Sequence, residues 1–315
     1  MGTVVISLDA ELGWGFHDRE VPESLLRDTR DNWLHLRDLF DAYEVPATWA
    51  VTGHLFLDSC LDSHRNHPAG ERCCQRPVGD LEADDVWYGP ELVEEVATAD
   101  VDHEIAGHGF THVHLDHERM TDEFAIREIE NCARAAAERG HDLSSFVFPV
   151  NKVRHRDVLA ENGFECYRGV NRLLEDRGTL ERQLTKVSSA VVGKPTPPIV
   201  EPHVDEYGLV NVPASVYLFN FGQEYEKPFS ALGEDPVVRQ VEAGIDAVAN
   251  DDGVLHLWLH PHNLRTSAHH RRLRSIVRYV DRRRTAGDLQ VKTMAEVADD
   301  VRRRERTRVE PVETA

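Results

Sequence analysis

At 315 residues, with 41% hydrophobic and 29% charged residues, the chain has ordinary globular composition and room for one large core. Its 36 Lys and Arg face 56 Asp and Glu, a formal net charge of −20, which argues against a nucleic-acid partner because phosphate backbones need clustered cations. No apolar run approaches the roughly 20 residues of a membrane-spanning helix, and no basic-then-apolar leader opens the sequence, so a cytoplasmic protein is expected.

The cations are nearly all arginine. An acidic, lysine-poor surface of this kind suggests a halophilic host, where salt screens the self-repulsion. The five cysteines (Cys60, Cys73, Cys74, Cys132 and Cys166) are odd in number and lack the spacing of a disulfide or zinc framework. The vicinal Cys73 and Cys74 read as bystanders in a loop, with a metal or redox pair as the alternative.

Short apolar strands alternate with amphipathic helical stretches, the pattern of a parallel β/α architecture. Val4 to Leu8 is the first strand, followed by a helix through Leu25, Trp33, Leu36, Leu39 and Phe40. Pro46 to Val51 is the second, closed by Thr52-Gly53. The polar stretch 58–85 reads as a loop insertion able to cover a site. A helix over 90–99 leads into a strand at Glu104–Gly107, and another over 122–139 carries Phe124, Ile126, Ile129 and Cys132 on one face. Ser145 to Pro149 is a strand; the short helix after it stops at Asn162-Gly163. Residues 175–202, with four prolines, read as irregular. Strands return at Leu209–Val212, Val254–Leu259 and Leu289–Val291, with helices near 237–248 and after Ser267. Residues 301–315 read as a charged, frayed tail, which leaves 1–300 as a single domain without internal repeats.

Three clusters follow predicted strands, at the end where a β/α barrel gathers its active site. In Ser7-Leu8-Asp9-Ala10-Glu11, one carboxylate can bind a cation while the other acts as a general base, or both are simply solvated acids. In His108-Gly109-Phe110-Thr111-His112, a helix starting here would put both histidines on one face to chelate an ion; the bland alternative is two unrelated surface histidines. In His256-Leu257-Trp258-Leu259-His260-Pro261-His262, the His-Pro step ends a strand at the barrel mouth, where His260, or His262 as second choice, can protonate a departing amine. Trp258 and His256 read as packing, and His103, His114 and His117 as structural or solvated. No phosphate loop or serine-elbow motif is present.

In this order the clusters resemble the polysaccharide deacetylase family, the NodB-homology or carbohydrate esterase family 4 group, over Val4 to about Met294. Ser7 to Glu11 stands where that family has Thr-Phe-Asp-Asp-Gly, Val45 to Gly53 matches its apolar-Ala-Thr-aromatic strand, and His108 to His112 resembles its His-Ser/Thr-x-x-His metal motif. Phe148-Pro149-Val150-Asn151 is similar to its Arg-x-Pro-x-Gly stretch, and Leu259-His260-Pro261 to its final Leu-x-His. The resemblance implies a distorted (β/α) barrel, with Asp9 as general base, His260 as general acid, and Glu11, His108 and His112 as ligands of a divalent metal: zinc, or else cobalt, iron or nickel. The implied reaction is removal of an acetyl group from an N-acetylated sugar or glycan precursor. A metal-independent amidase on a small cyclic ureide and an inactive glycan-binding protein are the competing readings. Two departures stand out: the second acid falls two positions after the first and is Glu, and the arginine that orients the family's catalytic Asp has no counterpart beside Pro149. Arg154 and Arg168 are the candidates to replace it.

Overall fold

Strand β1 (Thr3–Ala10) is buried along its whole length, because both of its faces are covered. Its even positions Val4, Ile6, Leu8 and Ala10 join one apolar cluster with helix residues such as Trp33, Leu36, Phe40, Ile245 and Ile276. Its odd residue Val5 joins a second cluster with Ala50, Ala106, Val147, Val254 and Met294. Period-2 alternation therefore sends Val5, Ser7 and Asp9 to the inner face of the sheet.

The structure, a computed structural model, describes residues 1–16, 21–59, 86–116, 120–170, 196–219 and 235–309. Beyond β1 the strands are β2 (Thr48–Val51), β3 (Glu104–Gly107), β4 (Ser145–Val147), β5 (Cys166–Arg168), β6 (His203–Val204), β7 (Val210–Asn211), β8 (Val216–Tyr217), β9 (Val254–Leu259) and β10 (Gln290–Val291). They lie in the order β6-β7-β5-β4-β3-β2-β1-β9-β8, parallel except for the β6–β7 pair. β10 pairs with the first residues of β1, below the segment that pairs with β2.

Four steps separate β5 from β1 in this order. In a flat sheet that would be about 19 Å at ~4.8 Å per strand, yet Arg168 on β5 touches Asp9 on β1 at 2.6 Å. The sheet is curled into a half-barrel, the distorted (β/α) barrel expected from the sequence.

The helices are α1 (Glu23–Ala42), α2 (Pro90–Ala97), α3 (Asp122–Ala137), α4 (Arg156–Glu161), α5 (Pro236–Val248), α6 (Ser267–Thr285) and α7 (Met294–Val309). α1 buries Leu26, Thr29, Trp33, Leu36 and Phe40, a helical stripe of spacing three and four, against the outer face. α7 begins at the opposite end from the site: Met294, Val297 and Ala298 close the bottom of the barrel. There Thr48 Oγ1 accepts from Met294 N at 2.9 Å and Glu104 Oε2 from Ala295 N at 3.1 Å.

Several sequence expectations need correction. Residues 301–309, read as a frayed tail, continue α7, and Arg302 holds them to Glu165 at 2.8 Å. No helix starts at His108; residues 108–114 are irregular, with Gly109 at φ 73° and His112 at φ 58°. The sequence reading also passed over β5, β6 and β8. Most of the 58–85 insertion, residues 60–85, lies outside the described residues, as do Cys60, Cys73, Cys74, His117 and most of 175–202. Cys132 and Cys166 are buried thiols, the first pushed up to about 12 by burial, which suits packing and not reactivity. Among the described residues no helix is long and apolar enough to cross a membrane.

Candidate metal centre and active site

Going up the inner face of the barrel, the apolar layer gives way to a buried polar one. His256 Nδ1 lies 3.2 Å from the carbonyl oxygen of Val212, so Nδ1 carries the proton and Nε2 accepts from the Ser7 hydroxyl at 2.8 Å. Ser7 Oγ in turn accepts from Arg168 Nη1 at 3.0 Å. Burial, reinforced by the Arg168 charge, pushes His256 down to about 3, so it is neutral. His256 is thus more than packing: it fixes the chain that reaches Arg168.

Arg168 is completely buried and forks onto Asp9, Nη1 to Oδ1 at 2.6 Å and Nη2 to Oδ2 at 2.8 Å. Asn151 Oδ1 accepts from its Nε and Nη2 at 3.2 and 2.8 Å, and the Trp258 ring lies 4.6 Å beneath it. Burial by itself would raise the Asp9 pKa; Arg168 and the nearby histidines outweigh it and hold the carboxyl below its ordinary value. Of the two candidate arginines, the structure brings Arg168 to Asp9. Asn151 reaches it from a turn in which Val150 and Asn151 both adopt positive φ, 49° and 57°. For a β-branched valine that is a strained conformation, of the kind concentrated at functional sites.

Glu11 lies past the strand end, where the chain tightens into a 3-10 turn over Leu12–Phe16. Its Oε2 is 2.8 Å from His112 Nε2 and 3.4 Å from His108 Nε2. Burial raises the Glu11 pKa, but the charges of His112 and His260 and the hydrogen bond with His112 carry it well below the usual carboxylate range. His112 is lowered by burial and raised further by Glu11, for a net rise.

A buried carboxylate on α3, which the sequence reading did not single out, shapes the histidine loop. Glu128 Oε2 accepts from the backbone N–H of Phe110 and Thr111 at 3.0 and 2.9 Å, and Oε1 from the Thr111 hydroxyl at 2.7 Å. The loop is also stitched to the end of β2, with Gly53 N donating to Gly109 O at 2.8 Å. In place of a helix, these bonds bring His108 and His112 to one point, ring centroids 5.0 Å apart.

The donor set fits a first-row divalent ion. The ligand atoms of Glu11, His108 and His112 lie within 4.8 Å of one another. His108 Nδ1 bonds the Val147 carbonyl oxygen at 2.8 Å, which turns the Nε2 lone pair toward Glu11, and that buried nitrogen makes no hydrogen bond among the described residues. Two imidazoles and one carboxylate, with further positions open, suit zinc and its neighbours.

His260 and His262 complete the rim. His260 Nε2 is 3.6 Å from Asp9 Oδ2 and 3.9 Å from Glu11 Oε1, and His262 Nδ1 is 3.6 Å from Glu11 Oε1. Asn263 Oδ1 accepts from His260 N at 2.8 Å and sets the turn. All five residues singled out in the sequence as site residues (Asp9, Glu11, His108, His112, His260) therefore converge on one mouth. Trp258 is not core: it is partly exposed, stacks on Tyr217 at 4.3 Å and supports Arg168.

Residues 21–166 match the family described as polysaccharide deacetylase. That is a little under half of the chain and includes His108 and His112; Asp9, Glu11, Arg168 and His260 lie outside it and reach the same site through the fold. The match supports a hydrolase of the deacetylase type, acting on carbon–nitrogen bonds. Solved structures share the fold. A protein from Mycobacterium smegmatis assigned as a polysaccharide deacetylase is 18% identical, with 100% of this chain and 94% of that one covered and a TM-score of 0.61. One from Pseudomonas aeruginosa PAO1, also so assigned, is 14% identical over 94% and 89% of the two chains, with a TM-score of 0.59. The Puue allantoinase is 14% identical over the same shares, with a TM-score of 0.53. No curated protein matches the sequence.

Proposed function

We propose that the protein is a metal-dependent N-deacetylase that removes the acetyl group from an N-acetylated sugar or glycan precursor. The observation that carries this reading is the placement of a Glu-His-His donor set beside an arginine-held aspartate and a rim histidine, in a chain that matches the polysaccharide deacetylases.

Glu11, His108 and His112 would hold a divalent ion, zinc or another first-row metal, which polarises an acyl carbonyl and acidifies water when bound. Asp9, kept ionised by Arg168, takes the proton of the attacking water. Arg168 fixes that carboxylate in position through two parallel hydrogen bonds, so the base does not have to reorient as the proton arrives. His260, whose Nε2 lies 3.6 Å from Asp9 Oδ2 at the rim, delivers a proton to the amine nitrogen as the carbon–nitrogen bond breaks, and acetate leaves. The acidic, lysine-poor composition suits a halophilic host.

The metal-independent amidase reading is weaker, since a metal-free site gains nothing from three ligand-type side chains around one point. The deciding test is bound metal per chain for wild type and His108→Ala, followed by acetate release from N-acetylated sugars. About one first-row metal per wild-type chain, lost in the variant and needed for acetate release, is expected. A wild type that binds no offered divalent ion would overturn the proposal.

A further inference from the structure

Glu11 presents an imidazole pair to each of its two oxygens. Oε2 faces His108 and His112 at 3.4 and 2.8 Å, and Oε1 faces His260 and His262 at 3.9 and 3.6 Å. Within each trio the ligand atoms lie within 4.8 Å of one another. We propose that Glu11, His260 and His262 form a second, outer divalent-cation site, and that a cation there occupies His260 and inhibits the enzyme.

The spacing supports the binding half. A cation about 2.1 Å from each donor in tetrahedral geometry sets donor–donor edges of about 3.4 Å. The outer edges of 3.6 and 3.9 Å need only a few tenths of an ångström of closure. Both rings are already placed: Phe16 packs edge-on against His262 at 4.7 Å, and Tyr217 and Trp258 flank His260 at 5.6 and 5.5 Å. The turn through Pro261 leaves the two rings 4.5 Å apart and facing the same carboxylate.

Charge and burial rank the two sites. Asp9 is neutralised by Arg168, so Glu11 is the one carboxylate two cations would share, and the second cation binds against the charge of the first. The inner histidines are 0% and 6% exposed at their side chains, the outer ones 17% and 11%. The outer ion is therefore nearer water and exchanges readily. Its functional effect rests on the proposed role of His260: a ring nitrogen coordinated to a cation has no proton to give the departing amine.

The test is equilibrium dialysis of the metal-stripped full chain against Zn²⁺, with elemental analysis, for wild type, His262→Ala, His262→Gln and His108→Ala; circular dichroism checks that each variant is folded. Wild type should fill in two steps to two ions per chain, the second at least about 10-fold weaker. Both His262 variants should stop at one tight ion, and His108→Ala should lose the tight step. Acetate release by wild type should rise over the first equivalent and fall over the second, and the falling limb should be missing in the His262 variants. Saturation of wild type at one ion, or a second ion retained in both His262 variants, would overturn the outer site. Two-step binding without acetate release from any N-acetylated sugar would sink the deacetylase reading instead and leave the outer site standing.

Discussion

Gly15 closes the turn behind Glu11 so tightly that a Cβ on Gly15 would lie 2.0 Å from Glu11 Oε1 and 2.3 Å from Cδ. The obstacle is the end of a flexible side chain, not backbone, so an added methyl group would move the carboxylate and spare the fold. Gly15→Ala should therefore change the unfolding midpoint little while weakening Zn²⁺ binding by about 10–100-fold, the usual effect of disturbing the support of a metal ligand. Chelator competition measures the affinity. Undiminished affinity would mean that Glu11 does not need this position to bind.

Asp9 and Arg168 form a second dependent pair. Removing Arg168 leaves a buried carboxylate without its cation, a change that costs about 3–5 kcal/mol in comparable pairs. Arg168→Met should lose stability on that scale in urea unfolding, and Asp9→Asn combined with Arg168→Met should recover much of it. Because burial alone raises the Asp9 pKa, the acid limb of any activity profile should move to higher pH in Arg168→Lys, which cannot make the two-pronged contact. An unmoved limb in Arg168→Lys would separate Asp9 from the proton transfer.

What the sequence disclosed and what it hid divide along local and non-local lines. β9 could be read because Val254 to Leu259 is apolar at every position but His256, and β3 because it sits between two helical periods. The site histidines could be read because they follow such strands. β5 escaped notice: three residues, Cys166 to Arg168, carry no period, and a buried arginine looks in sequence like a surface one. Its partnership with Asp9 depends on sheet curvature, which no local window contains. Glu128 was hidden in the same way, one acid among many on an amphipathic helix, distinguished only by the loop that folds over it. The helix expected at His108 failed because Gly109 and the backbone bonds to Glu128 favour a loop over helical hydrogen bonding.

Glu128 yields a prediction in its own right. Glu128→Ala removes the acceptor of two buried backbone N–H groups and one hydroxyl, so a loss of at least about 2 kcal/mol is expected. Glu128→Gln keeps a neutral acceptor and should fall between alanine and wild type. Zn²⁺ affinity should follow the same order, since the loop sets the separation of His108 from His112. If both variants lose stability but bind Zn²⁺ as wild type does, the loop is positioned by its bonds to β2 alone.

His256 makes stability depend on pH with a definite sign. Its folded value is about 3, below the ordinary histidine value near 6.5, so between those limits the unfolded chain binds a proton that the native one does not. Its contribution is complete above the unfolded value and is lost as pH falls toward 3, with a slope of up to about 1.4 kcal/mol per pH unit. Protonation of Nε2 would also turn it from acceptor to donor against Ser7, breaking the chain that steadies Arg168. Urea midpoints at pH 7, 5.5 and 4 should therefore decline more steeply for wild type than for His256→Gln, which retains polarity but cannot titrate. Parallel declines would show that other groups, and not His256, govern the acid instability.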